Sequence, residues 1–237
     1  MKDPLVLLPG MMCDARLFMP QILDLGQDHS LHLAPICGFE SIEAIAKSVL
    51  ARAPERFALA GLSMGGIVAM EMMALSPRRI SKLVLMDTNC QAELSSVAAA
   101  REPQIVGARA GRLQEIMRDE MKPNYLAPGP QRLGVLQTVM EMAMDMGPEV
   151  FIRQSRALQR RRDQQSTLRR SKTPTLILCG EHDALCPVRR HEFMADLMPN
   201  AVLKVIAGAG HLPTLEQPEV VNGLLRQFLA DPVVAPA

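Results

Sequence analysis

The chain has no tryptophan, one tyrosine and six phenylalanines in 237 residues, yet 48% of it is apolar. Its core must therefore be built from aliphatic side chains and from 17 methionines. Thioethers are flexible and polarizable, and suit surfaces that adapt to varied apolar ligands. Charge of one sign is lacking too. Lysine plus arginine is 26 against 25 acidic residues, a net charge of +1. That balance argues against nucleic acid or an anionic membrane as the main partner. Cys-x-x-Cys spacing is absent, and the five cysteines are scattered, so neither a disulfide framework nor a zinc site is expected. Long apolar runs are missing as well. The first, Leu5-Val6-Leu7-Leu8, is stopped by Pro9-Gly10 and is too short for a signal-peptide core or a membrane span. The expectation is a soluble, cytoplasmic protein, monomer or homodimer, and the chemistry read below implies no metal or organic cofactor. No repeats or low-complexity tracts appear, and the segment after residue 231 reads as loose.

What is present is alternation. Apolar runs over residues 5–8, 31–34, 57–60, 83–86, 175–179 and 202–206 are too short for helices and are bounded by turn residues, so they read as buried strands. Between them lie helical patterns, such as Ile42, Ile45, Ala46 and Val49. Residues 219–229 close the pattern with Val220, Leu224, Leu225 and Phe228 on one side. Strand–helix alternation of this kind specifies an α/β domain, a mostly parallel sheet with helices on both faces. Residues 89–172 break the rhythm, because no strand pattern occurs there. Within that stretch, 131–146 reads as a broadly apolar helix that Gly147-Pro148 stops. Residues 149–162 read as a second helix, basic along its length. The expectation is a core of residues 1–88 and 173–237 with a helical cap of residues 89–172. Arg153, Arg156, Arg160, Arg161, Arg162, Arg169 and Arg170 read as a solvated face, with contact to an acidic substrate tail as the alternative.

Three motifs carry chemistry. Gly61-Leu62-Ser63-Met64-Gly65-Gly66 follows a strand run and precedes a helical one. This is Gly-x-Ser-x-Gly in the context it requires: a turn so tight that side chains two positions from the serine would collide, with the hydroxyl lifted clear of the sheet. A serine nucleophile needs a base, and the base needs an acid partner. His211, in Gly208-Ala209-Gly210-His211, follows the last strand run; Asp183, in Gly180-Glu181-His182-Asp183, follows the one before it. Ser63, Asp183 and His211 thus stand in the order nucleophile, acid, base. Glu181 is an alternative acid, and so is Asp87 at the end of the 83–86 run. The other histidines suit surface or packing roles. An oxyanion hole needs two converging backbone N–H groups. Met64 follows the nucleophile and offers one; Met11, in the loop after the first run, is the candidate for the other.

These motifs and their chain order resemble the α/β-hydrolase fold family, over nearly the whole chain except residues 89–172. The resemblance implies a serine hydrolase that cleaves an ester or related carbonyl through an acyl-enzyme, with Ser63, Asp183 and His211 as its triad. Relatives of this kind usually carry His-Gly in the first loop and often His before the serine. This chain has Pro9-Gly10 and Leu62 there, which leaves the backbone donors in place. The same triad serves lactone opening, carbon–carbon hydrolysis and acyl transfer, and a slow-turnover binding protein is a further alternative. The expected partner is a small molecule with an apolar part.

Overall fold

The computed structural model describes residues 3–121 and 125–230. The expected loose tail lies outside the described residues. Six strands form one parallel sheet in the order β2-β1-β3-β4-β5-β6. They are β1 (Leu5–Leu8), β2 (Leu31–Leu33), β3 (Phe57–Leu62), β4 (Ile80–Met86), β5 (Thr175–Gly180) and β6 (Ala201–Ile206). Each is the strand that an apolar run announced, with ends moved by up to three residues. Ladder bonds extend past the apolar run: Ile80 and Lys82 pair with β3 although Lys82 breaks the hydrophobic pattern. Lys82 does so by turning its ammonium to the Phe228 and Leu229 carbonyls, at 2.6 and 3.0 Å.

The central strands are buried on both faces, which is why β1 and β3 are apolar at every position rather than at alternate ones. Val6, Leu8, Leu59, Leu85 and Ile177 point to one face and pack with α2 (Ile42–Leu50) and α3 (Met64–Leu75). Leu5, Leu7, Ala58, Ala60, Val84, Met86, Leu176 and Leu178 point to the other. There they meet α1 (Met19–Leu25) and α10 (Pro218–Ala230). Helix α3 is buried at nearly every position from Met64 to Met73, as a helix without a polar stripe must be.

Between β4 and β5 the regular structure among the described residues is helical. They form α4 (Ser95–Arg109), the single turn α5 (Leu113–Glu115) continued by a π-helical turn (Ile116–Met121), α6 (Arg132–Gln159) and α7 (Gln165–Arg170). Helix α6 is two helices joined at a kink. Gly147 has φ 76° and ψ 175°, a conformation that lets the chain turn where Pro148 forbids a continuous ladder. The first half buries Val135, Val139, Met142 and Ala143, while Met140 and Met144 are only partly covered. The second half buries Phe151, Ile152, Gln154, Ala157 and Leu158. After β5 come α8 (Val188–Leu197) and, beyond β6, α9 (Pro213–Glu216). No helix among the described residues is long and apolar enough to cross a membrane.

Strand order reverses direction at β1 and β3, and ligands of open α/β sheets bind at the carboxyl ends beside such a point. Backbone strain gathers there too. Among the described residues, the non-glycine positions with positive φ are Met12 (54°), Ser63 (54°) and Asp87 (45°), each just beyond the carboxyl end of β1, β3 or β4. Strain of this kind persists where the surrounding structure fixes a working geometry.

Candidate active site

Ser63 stands between β3 and α3 with φ 54° and ψ −115°, held by its N–H to the Met86 carbonyl at 2.9 Å and by Thr88 Oγ1 donating to its own carbonyl at 2.7 Å. The turn closes only because Gly61 and Gly65 lack side chains. A Cβ at Gly65 would lie 2.6 Å from the Pro9 carbonyl oxygen and closer still to that of Leu8. Gly65→Ala therefore forces β1 and α3 apart. It should cost about 3 kcal/mol or more, at the upper end for a point substitution. Thermal unfolding checks this: a Tm drop of roughly 10 °C is expected, and an unchanged Tm would contradict the packing.

Three residues named from the sequence are in hydrogen-bond contact. His211 Nε2 lies 2.9 Å from Ser63 Oγ, and His211 Nδ1 lies 2.9 Å from Asp183 Oδ2. Asp183 is buried, and its Oδ1 accepts the N–H groups of Leu185 and Cys186 at 2.9 and 3.0 Å. Burial alone would raise this carboxyl. The charge and hydrogen bond of His211, the Cys186 N–H and Asp87 outweigh it and hold the pKa down at about 2.

The rival acids take other roles. Glu181 is exposed, accepts the Gly208 N–H at 3.1 Å and pairs with His182 at 3.7 Å. Asp87 is fully buried; its Oδ1 accepts the Gly180 N–H at 2.8 Å, while its Oδ2 has no hydrogen-bond acceptor or donor other than the neighbouring Asp183. Carboxylate atoms of the two aspartates lie within 4.8 Å. Burial first, and the charge of Asp183 second, push Asp87 well above the ordinary carboxylate range, so it is the neutral member of an acid pair. His191 is a packing histidine: fully buried, lowered to about 4 chiefly by burial, with Nε2 accepting the Thr88 N–H at 3.0 Å.

Several residues that hold the site were not singled out in the sequence. Glu216 Oε2 accepts the N–H groups of Gly210 and Ala127, at 3.0 and 2.7 Å, and its Oε1 accepts that of Leu212 at 2.9 Å, which fixes the histidine loop. The His211 N–H donates to the Tyr125 carbonyl at 2.6 Å, and the tyrosine ring meets the imidazole edge-on at 5.3 Å. Gln154, fully buried on α6, accepts the Met12 N–H at 2.8 Å and so ties down the loop that carries Met11. A long-range partner is the only signal that separates such residues from surface polar ones, and a single sequence does not carry it.

Ser63 Oγ and His211 face a cavity of about 370 Å³. Met11 and Met64 line it, as do Ile67, Val97, Leu158 and Leu185. Met64 is the first residue of α3, so its N–H has no intrahelical acceptor. The expectation of a wholly solvated arginine face needs correction. Arg161 is only 11% exposed and lines this cavity. Conversely, Met140 and Met144 of the 131–146 segment line a separate surface cleft beside Arg16 and Gln114. Asp183, Cys186 and His211 offer donor atoms within 4.8 Å, as do Asp87, Cys179 and Asp183. Burial pushes both thiols up, away from the thiolate a metal ion requires, and Asp183 and both imidazole nitrogens are already engaged.

The comparisons agree with this architecture. Pimeloyl-[acyl-carrier protein] methyl ester esterase of Edwardsiella ictaluri is 27% identical over 248 residues, covering 96% of this chain and 93% of that protein. A thermophilic esterase structure from Thermogutta terrifontis, malate bound, superposes with TM-score 0.87 and 28% identity over 95% of this chain and 89% of its own. The enol-lactonase from Burkholderia xenovorans shares the fold with TM-score 0.87 at 20% identity, over 98% of this chain and 93% of its own. The family model described as "Alpha/beta hydrolase family" matches residues 5–224. The chain belongs to the alpha/beta hydrolase family.

Proposed function

We propose that this chain is a serine hydrolase that cleaves carboxylic esters, with Ser63 as nucleophile, His211 as base and Asp183 as the acid that orients it. One observation carries the reading: an unbroken Ser63–His211–Asp183 relay, both links 2.9 Å, whose hydroxyl opens onto a partly apolar cavity. In the first half-reaction His211 Nε2 takes the Ser63 proton as Oγ attacks the ester carbonyl. Asp183 keeps the imidazole in the required tautomer and balances its charge. The N–H groups of Met11 and Met64 hold the oxyanion; losing one such donor costs about 3 kcal/mol of transition-state stabilisation in comparable sites. Collapse expels the alcohol, protonated by His211. Water then attacks the acyl-enzyme, giving its proton to His211, and the carboxylic acid leaves as that proton returns to Oγ.

Residues 89–172 act as the cap that shapes the cavity, and the substrate is a small molecule with an apolar part. The named activities of the Edwardsiella and Thermogutta relatives support ester cleavage. Five cysteines, none of them in a disulfide, support a cytoplasmic setting. Lactone opening is the second reading, since an internal ester presents the same carbonyl to the same relay. A panel of p-nitrophenyl esters from acetate to octanoate, with and without EDTA, tests the proposal. Turnover insensitive to the chelator is expected. No turnover of any ester, or activity lost to EDTA and restored by a metal ion, would contradict it.

A further inference from the structure

The cavity over Ser63 has a cationic wall. Glu93, whose side chain is 2% exposed, receives Arg101 through two bonds, Nε to Oε2 at 2.7 Å and Nη2 to Oε1 at 3.0 Å. Arg161 Nη1 reaches the same carboxylate at 3.1 Å, so two guanidinium groups share one negative charge. Arg190 of α8 is the third cation on this wall, and among the described residues its guanidinium has no ion-pair or hydrogen-bond partner. Glu120, the other acid lining the cavity, is exposed to water and takes a hydrogen bond from Gln104 at 3.0 Å. Burial lowers Arg161, Glu93 raises it, and both Arg101 and Arg190 push it down, as in a cluster short of negative charge. The Arg101 side chain also reaches Met11 Sδ, at 3.9 Å, which places the cluster beside the loop expected to hold the oxyanion.

Tying the start of the 89–172 segment to its end explains part of this. Arg161 Nε donates to the Gln91 carbonyl at 3.1 Å, and Glu93 clamps α4 to the end of α6. That role occupies Arg101 and Arg161 through Glu93 but does not need Arg190. Partly buried charge without a counter-charge is costly, and planar guanidinium forks match a carboxylate. We propose that Arg101, Arg161 and Arg190 bind a carboxylate on the substrate, making the preferred substrates short diacid half-esters, or lactones that carry a free carboxylate. The proposal rests on the hydrolase reading and names the substrate class of that same site. Ser63 and the three arginines line one cavity of about 370 Å³, which limits the substrate to a small molecule.

The test compares monomethyl esters of diacids from succinate to adipate with the isosteric monomethyl ester monoamides. For the best chain length, kcat/KM should favour the carboxylate by about tenfold to a hundredfold, as charge-assisted hydrogen bonds do, and added salt should shrink the ratio. Arg190→Gln should bring the ratio toward one, and Glu93→Gln should enlarge it. If Glu93→Gln fails to fold, Arg190→Gln carries the comparison alone. Equal kcat/KM for acid and amide in the parent overturns the carboxylate wall and leaves ester hydrolysis standing. A ratio untouched by Arg190→Gln removes that residue from the proposal and overturns it as stated. No turnover of any ester, together with no labelling of Ser63 by a fluorophosphonate, overturns the hydrolase reading and this inference with it.

Discussion

Asp183→Asn should lower kcat by about 10⁴, and Asp87→Asn should leave it near the parent value. The asymmetry follows from what each carboxyl touches. Asp183 holds His211 Nδ1 at 2.9 Å and is kept ionised, with a pKa of about 2. An amide there removes the counter-charge and favours the wrong tautomer. Asp87 touches no imidazole: it accepts the Gly180 N–H and, being neutral, presents a proton toward Asp183. Asparagine reproduces both contacts, with its oxygen facing Gly180 and its N–H₂ facing Asp183. It also tolerates the φ of 45° found there.

Stability separates the two further. The raised Asp87 pKa means that the folded state keeps a proton which the unfolded chain releases above about pH 4. Its contribution is full below that pH and is lost as pH rises through the folded value. Asp87→Asn abolishes this loss, so its Tm advantage over the parent should widen from pH 5 to pH 8. Asp183 has the opposite sign: its contribution is present above the ordinary carboxylate range and is lost as pH falls toward about 2. Paired kinetics and pH-dependent melting check both claims. A dead Asp87→Asn beside an active Asp183→Asn would reverse the assignment.

Ser63→Ala and His211→Ala should each lower kcat by about 10⁶, and the double variant should be no worse than either alone. The two side chains act as one unit, since the hydroxyl is reactive only while His211 Nε2 accepts its proton across 2.9 Å. A residual rate above the uncatalysed one should survive, supplied by backbone donors and binding. Neither substitution removes a residue on which the sheet depends, so circular dichroism and melting should show folded protein. Losses that multiply in the double variant would show the two residues acting independently, against a relay.

Much of the architecture was legible because both faces of the sheet are covered. That requirement gave the central strands short apolar runs, and Pro9-Gly10, Gly61 and Gly180 marked the ends of those in β1, β3 and β5. The Gly-x-Ser-x-Gly turn was legible for a steric reason: Gly61 and Gly65 are dictated by contacts within a few residues and with β1. The helical segment between β4 and β5 was read less well. Its 131–146 helix reads as broadly apolar, yet Met140 and Met144 on it line a cleft beside Arg16 rather than the wall of the cavity at Ser63. The wall is instead partly α4, a helix with a weak apolar stripe that periodicity does not bring out. Arg161 looked like its exposed neighbour Arg162, because only the fold brings Glu93 beside one and not the other. Glu216 and Gln154 were silent for the same reason: a buried polar residue is distinguished by partners far away in sequence.

The central claim is that Ser63 is a nucleophile activated by His211. Incubation with a fluorophosphonate, followed by intact mass and peptide mapping, tests it most directly. The account predicts one adduct per chain, on Ser63, forming rapidly in the parent, slowed by orders of magnitude in His211→Ala and absent in Ser63→Ala. An adduct on another residue, or a Ser63 that stays unlabelled in folded parent protein, would contradict it.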